Sequence, residues 1–198
     1  MSIRPRIIIV PGWRDSGPGH WQSLWADRLA DAVRVTQNDW LTPSRAAWIE
    51  SIGQTILSQG GPVVVAAHSL GCIATTHLPP EVVARIQGAL LVAPADPERR
   101  GVLADFAPVP FQKLPYRSVL VASSNDPFCP VRQAGAYARA WGSEFVRVQD
   151  GGHLNVESGH GEWPLGLALL QSLVGEGGLA LKPATRSLSN PTDSLETA

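Results

Sequence analysis

The chain has 198 residues, of which 44% are hydrophobic and 17% charged, and its formal net charge at pH 7 is -1. These values are ordinary for one globular domain with a sizeable core. The low charge and the lack of a basic run argue against nucleic acid or an anionic membrane as a partner. Cys72 and Cys129 lack the spacing of a zinc site and are predicted to be free thiols in a reducing compartment. The N-terminal apolar run, residues 7–10, is too short for a signal peptide or a membrane span, so we expect a soluble, cytoplasmic protein.

Strand and helix patterns alternate along the chain. A β-branched run at residues 6–10 predicts a strand buried on both faces, and apolar residues at helical spacing from Trp21 predict the first helix. The other predicted strands lie near Val33 and at residues 62–67, 88–93, 118–123 and 144–149. The other predicted helices lie at residues 49–56, 130–141 and 163–174, and from residue 70 to before residue 79. This order predicts an α/β fold with a mostly parallel central sheet and helices on both faces. Ligands bind such sheets beyond the carboxyl ends of the strands, so functional residues are expected in the loops that follow strands.

The composition changes near residue 175, which predicts the end of the folded domain. Residues 1–175 are expected to form the domain, and residues 176–198, with no hydrophobic period, a flexible C-terminal tail. The proline-rich segment 94–117 between two predicted strands is too short for a lid domain with its own core. We therefore expect no large lid, although Phe106 or Phe111 could lie across one side of a cleft.

Residues 67–71, Ala-His-Ser-Leu-Gly, lie directly between a predicted strand and a predicted helix. This is the context of a G-x-S-x-G nucleophile elbow, with Ala67 in place of the first glycine. Such a turn exposes the Ser69 hydroxyl and aims the backbone N–H of Leu70 at the same space, at a helix N-terminus that favours an oxyanion. The alternative is a serine that only caps the helix. The context favours Ser69 as a nucleophile, with His68 as a structural residue at the pocket wall.

A serine hydroxyl becomes a good nucleophile only when a histidine accepts its proton. His153 follows the last predicted strand in a glycine-rich loop, which can return the ring over the sheet edge. His160 is the second candidate. His77 lies too far along the helix from Ser69, at about 12 Å for eight residues. His153 is therefore predicted to be the general base.

Two aspartates are candidates for the acid that orients the histidine. Asp96 and Asp126 each follow a buried strand after the elbow, and both satisfy the chain order Ser, Asp, His. Asp126 is favoured because Pro127 restrains its backbone to extended geometry. Asp96 has another explanation, since Arg99 and Arg100 are available as ion-pair partners.

The loop after the first strand is expected to complete the site. Gly12 permits a close approach of the backbone, and the backbone N–H of Trp13 is the candidate second donor of an oxyanion hole. The substrate pocket is predicted to be lined by Trp13, His20, Phe128 and Leu154. No dinucleotide, phosphate-binding or zinc-protease motif is present, so no cofactor and no metal are predicted.

Four motifs in this order, PGWRDSGPGHWQ, AHSLGC, SSNDPFCP and GGHLN, resemble the small serine hydrolases related to retinoblastoma-binding protein 9 and its bacterial relatives. The resemblance covers residues 6–174. It implies a compact α/β-hydrolase fold without a large lid and a triad of Ser69, Asp126 and His153. The animal protein's Leu-x-Cys-x-Glu motif for pocket-protein binding ends here in Ala74, so that binding role is not implied.

These residues predict a serine hydrolase, and we expect a carboxylesterase that attacks small uncharged acyl esters and passes through an acyl-enzyme. An amidase or peptidase could use the same three residues. A third possibility is a non-catalytic binding module on a hydrolase fold, since a fold alone does not define a function. The expected partner is a small-molecule ester, with neither nucleic acid nor a membrane.

Overall fold

A six-stranded parallel sheet forms the centre of the computed structural model, which describes residues 4–183. The strands are β1 (Arg6–Val10), β2 (Ala32–Arg34), β3 (Val63–His68), β4 (Ile86–Val92), β5 (Arg117–Ser123) and β6 (Glu144–Val148). Their order across the sheet is β2-β1-β3-β4-β5-β6, and each neighbouring pair is parallel. The predicted α/β fold is confirmed, and the sheet is entirely rather than mostly parallel.

Within residues 4–183, six α-helices cover the two faces of this sheet. They are α1 (Trp21–Arg28), α2 (Arg45–Leu57), α3 (Leu70–Thr76), α4 (Pro80–Val83), α5 (Val131–Trp141) and α6 (Pro164–Val174). Helices α2 to α5 contribute to one hydrophobic core, and α1 and α6 contribute to the other. The sequence did not predict α4, because four residues are too few to show a helical period.

The alternation of side chains along each strand explains why the inner strands, β1, β3, β4 and β5, are apolar at most positions. In β1, Ile8 and Val10 face the core under α2 to α5, and Ile7 and Ile9 face the core under α1 and α6. A strand with both faces buried needs apolar residues at odd and even positions alike. Polar residues are therefore left to the loops, and the loops at the carboxyl ends of β1, β3, β5 and β6 bring together the residues described below.

The segment between β4 and β5 is folded against the body of the protein and forms no separate domain. Residues Pro97–Arg99 and Gly101–Phe106 are short 3-10 helices. Phe106 is fully buried, with its ring 5.9 Å from that of Trp48. Phe111 is exposed, and its ring centre lies 5.5 Å from that of Tyr137. Neither phenylalanine lies across the cleft, because one serves the core and the other packs on α5.

The first part of the predicted C-terminal tail is paired with the chain just after α1. The backbone N–H of Ala30 donates to the carbonyl of Ala180 at 2.8 Å, and that of Lys182 donates to the carbonyl of Arg28 at 2.8 Å. Residues 180 and 182 thus contact the folded domain, whereas residues 184–198 lie outside the described part, and the flexible tail from residue 176 stays a prediction. None of the helices in residues 4–183 has the length and apolarity needed to span a bilayer.

Candidate active site

Ser69 occupies the tight turn between β3 and α3. Its backbone has φ 53° and ψ -121°, a strained conformation for a residue with a side chain. Small neighbours allow this turn. A Cβ atom on Gly71 would lie 2.5 Å from the carbonyl oxygen of Val10, so only glycine lets α3 begin this close to the end of β1. Ala67 takes the place of the motif's first glycine and is fully buried. The strand, turn and helix have the arrangement of a nucleophile elbow.

A continuous chain of hydrogen bonds joins the three residues that the sequence singled out. The Nε2 atom of His153 lies 2.9 Å from the Ser69 hydroxyl oxygen. On the other side of the ring, Nδ1 lies 2.9 Å from each carboxylate oxygen of Asp126. The carboxylate accepts a hydrogen bond from the N–H at Nδ1, which leaves the lone pair of Nε2 directed at the hydroxyl. It also accepts the backbone N–H of Phe128 at 2.8 Å. The side chain of Asp126 is 2% exposed and that of His153 is 8% exposed, so water competes little for these bonds.

Hydrogen bonds between adjacent loops hold the acid and the base in register. The side-chain oxygen of Asn125 accepts the backbone N–H of Gly152 at 2.7 Å and the hydroxyl of Ser123 at 2.8 Å. The loop that carries Asp126 is thereby tied to the loop that carries His153. The sequence analysis missed Asn125, and its only signal was its place beside Asp126 at the end of a strand.

The second acid candidate has a different role. The carboxylate of Asp96 accepts the backbone N–H of Glu98 at 3.2 Å and caps the 3-10 helix Pro97–Arg99. Within residues 4–183 it forms no ion pair with Arg99 or Arg100. The structure therefore brings Asp126 to the histidine, and the sequence-based explanation of Asp96 as an ion-pair partner is wrong.

The histidines that were considered as alternative bases lie away from Ser69. The Nε2 atom of His77 is 3.0 Å from the carbonyl oxygen of Phe106. The Nδ1 atom of His160 is 3.2 Å from the hydroxyl of Ser158. Each ring is thus engaged in a local contact of its own, and neither reaches the elbow.

Two further buried histidines pack beside the base. His68 donates from Nε2 to the carbonyl oxygen of His153 at 2.9 Å, and its ring centre lies 4.8 Å from those of both His153 and His20. Burial holds the pKa of His68 well below its ordinary value. Burial, with repulsion from His153, lowers the pKa of His20 to about 4. Both rings are therefore neutral near pH 7, and they surround the base without adding positive charge.

The loop after β1 approaches the nucleophile as predicted for an oxyanion hole. A Cβ atom on Gly12 would lie 2.7 Å from the Cβ of Ser69, so the glycine backbone packs directly against the serine. The next backbone N–H, of Trp13, donates to no acceptor within residues 4–183. The N–H of Leu70 begins α3, where no acceptor exists within the helix. Both donors stay predicted rather than tested.

A cavity of about 380 Å³ opens above the elbow. Three of the four predicted pocket residues, Trp13, His20 and Phe128, line it. The prediction for Leu154 is wrong. Its side chain is fully buried in the core under α1 and α6, because the chain turns there with φ 50° and apolar burial is favourable.

The rim of the cavity is charged, which the sequence analysis did not predict. The charged residues that line it are Arg14, Asp15, Arg100 and Glu157. Arg100 comes from the segment between β4 and β5, and its guanidinium carbon lies 4.2 Å from the ring centre of Phe128. Among residues 4–183, no group of three or more His, Cys, Asp or Glu side chains is placed to hold a metal ion.

The fold and this geometry together define a class. A parallel sheet, a nucleophile elbow after β3, and a serine, a histidine and an aspartate linked at the carboxyl ends of the strands are features of an α/β hydrolase. Within that class the chain belongs to the serine hydrolase family, whose model matches residues 7–172.

Solved structures share this fold. A YdeN-like hydrolase from Pectobacterium atrosepticum is 33% identical with a TM-score of 0.79, over 86% of this chain and 91% of that one. The YdeN gene product from B. subtilis is 20% identical with a TM-score of 0.71, over 85% of this chain and 98% of that one. Est1E from Butyrivibrio proteoclasticus shares the fold at 11% identity and a TM-score of 0.62, over 86% of this chain and 85% of that one. No curated protein matches the sequence significantly.

Proposed function

We propose that the protein is a carboxylesterase that hydrolyses esters of short, uncharged acyl groups. The observation that carries the proposal is the hydrogen-bond chain from Asp126 through His153 to Ser69, with 2.9 Å at each link. A histidine fixed in this tautomer can take the serine proton as the hydroxyl attacks a carbonyl carbon.

The proposed reaction has two halves. The Ser69 oxygen forms a bond to the acyl carbon while its proton moves to Nε2 of His153. The backbone N–H groups of Trp13 and Leu70 stabilise the negative charge that develops on the carbonyl oxygen. The ester C–O bond then breaks, and the proton on Nε2 passes to the leaving alcohol. In the second half a water molecule attacks the acyl carbon and gives one proton to His153. The bond between the acyl carbon and the serine oxygen then breaks, the serine oxygen takes that proton back, and the acid is released.

The size of the cavity favours short acyl groups. Its volume of about 380 Å³ is at the lower end of the range for small-molecule sites, which is roughly 300–1,000 Å³. Leu103 is buried while it also borders the cavity, so the segment between β4 and β5 forms a wall. These two features support a small substrate.

The test is a panel of esters and amides with matched acyl groups, run on the wild type beside Ser69→Ala. We expect ester hydrolysis by the wild type, labelling by a fluorophosphonate probe, and loss of both in Ser69→Ala. Ser58→Ala, at an exposed position after α2, is the matched control and should behave as wild type. Faster cleavage of amides would favour the amidase alternative. A wild type that the probe does not label would favour a non-catalytic binding module.

Two further proposals concern the relatives of the protein and its location in the cell. We propose a relationship to the group of retinoblastoma-binding protein 9, supported by the four sequence motifs. We also propose a cytoplasmic location, which is supported by the two cysteines, Cys72 and Cys129, both buried and free.

A further inference from the structure

Two arginines lie at the mouth of the cavity on aromatic rings. The guanidinium carbon of Arg14 is 4.2 Å from the ring centre of Trp13, and that of Arg100 is 5.8 Å from the same ring. Arg100 also lies 4.2 Å from the ring centre of Phe128. A guanidinium held over an aromatic ring still has its in-plane N–H donors free, and their fork matches a carboxylate.

Neither arginine has an acidic partner among residues 4–183. Their side chains form no ion pair and no hydrogen bond with that part of the protein. Asp15 also lines the cavity, but it is paired with Arg34 at 2.7 Å. Glu157 also lines the cavity, and it borders the neighbouring cleft along Gly17 and Pro18 as well, but it forms no ion pair with either arginine. Two cations therefore share one aromatic surface beside the nucleophile without a paired carboxylate, which favours an anion there.

The position of Phe128 indicates which half of the substrate carries this anion. Its ring centre is 4.2 Å from that of His153, so the stack runs from the base through Phe128 to Arg100. The leaving alcohol must lie at His153, because Nε2 gives it a proton. A group attached to that alcohol is thereby placed along the stack and toward Arg100.

We infer that the substrate is an ester whose leaving alcohol carries a carboxylate, and that Arg100 and Arg14 bind this carboxylate while the acyl group stays short and uncharged. The inference rests on the proposed function, since it assigns the two halves of the substrate relative to Ser69 and His153. It adds a charge preference that the aromatic and aliphatic lining alone would not give.

The test compares 3-acetoxybenzoate with its methyl ester, which has the same acyl group and ring but no charge. We expect Arg100→Gln to lower kcat/KM for 3-acetoxybenzoate about fivefold and Arg14→Gln about threefold, as suits partly screened charge contacts. The methyl ester should change by less than about twofold, since it makes no charge contact. Arg99→Gln is the matched control, because Arg99 is exposed and does not border the cavity. The ratio of variant to wild type for each ester cancels the intrinsic reactivities of the two leaving groups.

Binding of the alcohol product gives a readout that does not depend on turnover. In calorimetry, 3-hydroxybenzoate should bind the wild type more tightly than methyl 3-hydroxybenzoate does, and Arg100→Gln should remove the difference. Equal binding of the two compounds would overturn the inference even if every ester is cleaved. A larger effect of the arginines on mono-4-nitrophenyl succinate, whose acyl half is charged, would overturn the assignment to the leaving alcohol. If the wild type cleaves no ester but still prefers 3-hydroxybenzoate, the carboxylate site stands and the proposed function fails.

Discussion

The buried end and the rim of the active-site cavity are built in different ways. At the buried end, Ser69 and His153 are 7% and 8% exposed, and directional hydrogen bonds fix each side chain to the next. At the rim, Arg14 and Arg100 are exposed and are positioned only by ring faces. When a side chain is removed at the buried end, its hydrogen-bond partner is left where water cannot reach it. When a side chain is removed at the rim, water takes over its hydrogen bonds. Substitutions are therefore expected to have effects that decrease from the buried end outward.

The two strand-end aspartates test the buried end with the largest expected effect. Asp126→Asn should lower kcat by about 10⁴-fold, because an amide at this position favours the wrong tautomer of the histidine. Asp96→Asn should stay within about threefold of wild type, because asparagine caps a helix as well as aspartate does. The measurement is steady-state hydrolysis of 4-nitrophenyl acetate by both variants. A greater loss in Asp96→Asn would reverse the assignment of the acid.

Two of the three central residues, Ser69 and Asp126, could be found in the sequence because each follows a strand whose apolar pattern is strong. Val63–His68 and Arg117–Ser123 are nearly continuous apolar runs, and parallel strands bring their carboxyl ends to one edge. The position of Ser69 thus follows from local turn chemistry, and those of Asp126 and His153 follow from topology. Local periodicity also accounts for the six predicted strands.

The remaining site residues depend on contacts that no local pattern reports. The bond from His68 to the carbonyl of His153 spans 85 positions, and the bond from Gly152 to Asn125 spans 27. Leu154 is adjacent to the base in sequence, yet the turn directs its side chain into the core. Arg100 reaches the cavity only through the tertiary path of a proline-rich segment. Adjacency in sequence therefore predicts backbone position better than side-chain direction.

The hydrogen bond from His68 sharpens the comparison, since it holds the backbone of the base while His68 also lines the cavity. We expect His68→Phe, which keeps a ring but loses the donor, to lower kcat about 10- to 100-fold with little change in KM, as a displaced catalytic group does. His68→Gln keeps an N–H donor and should recover most of that loss. Equal losses in both variants, with equal drops in melting temperature, would show that His68 serves packing alone.

The neutral state of His20 at the buried end can be tested by measuring how the free energy of unfolding depends on pH. The pKa of His20 is lowered from 6.5 to about 4 in the folded protein, so acid protonates the unfolded chain first. The contribution of His20 to the free energy of unfolding is therefore fully present above about pH 6.5, and it is lost as the pH falls from there toward 4. The expected loss between pH 7.5 and pH 5 is about 2 kcal/mol. His20→Asn, which keeps a cap for α1, should reduce the pH dependence by that amount in urea unfolding. An unchanged pH dependence in the variant would contradict a neutral His20.

The smallest effects are expected beyond the rim, where the acyl chain of a long ester would extend. Leu103 and Phe106 anchor the segment between β4 and β5 in the core, so no mobile lid is available to expose an apolar surface. An acyl chain longer than the cavity would have to cross its charged rim, where Glu157 is not assigned to the leaving alcohol, and the desolvation of a charge costs free energy. We expect kcat/KM for 4-nitrophenyl esters to fall about tenfold from butyrate to palmitate, on the scale of an incomplete apolar contact. Rates should show no jump above the critical micelle concentration of the long ester. A preference for palmitate, or such a jump, would show that this segment opens as a lid and that the rim is not the outer limit of the acyl site.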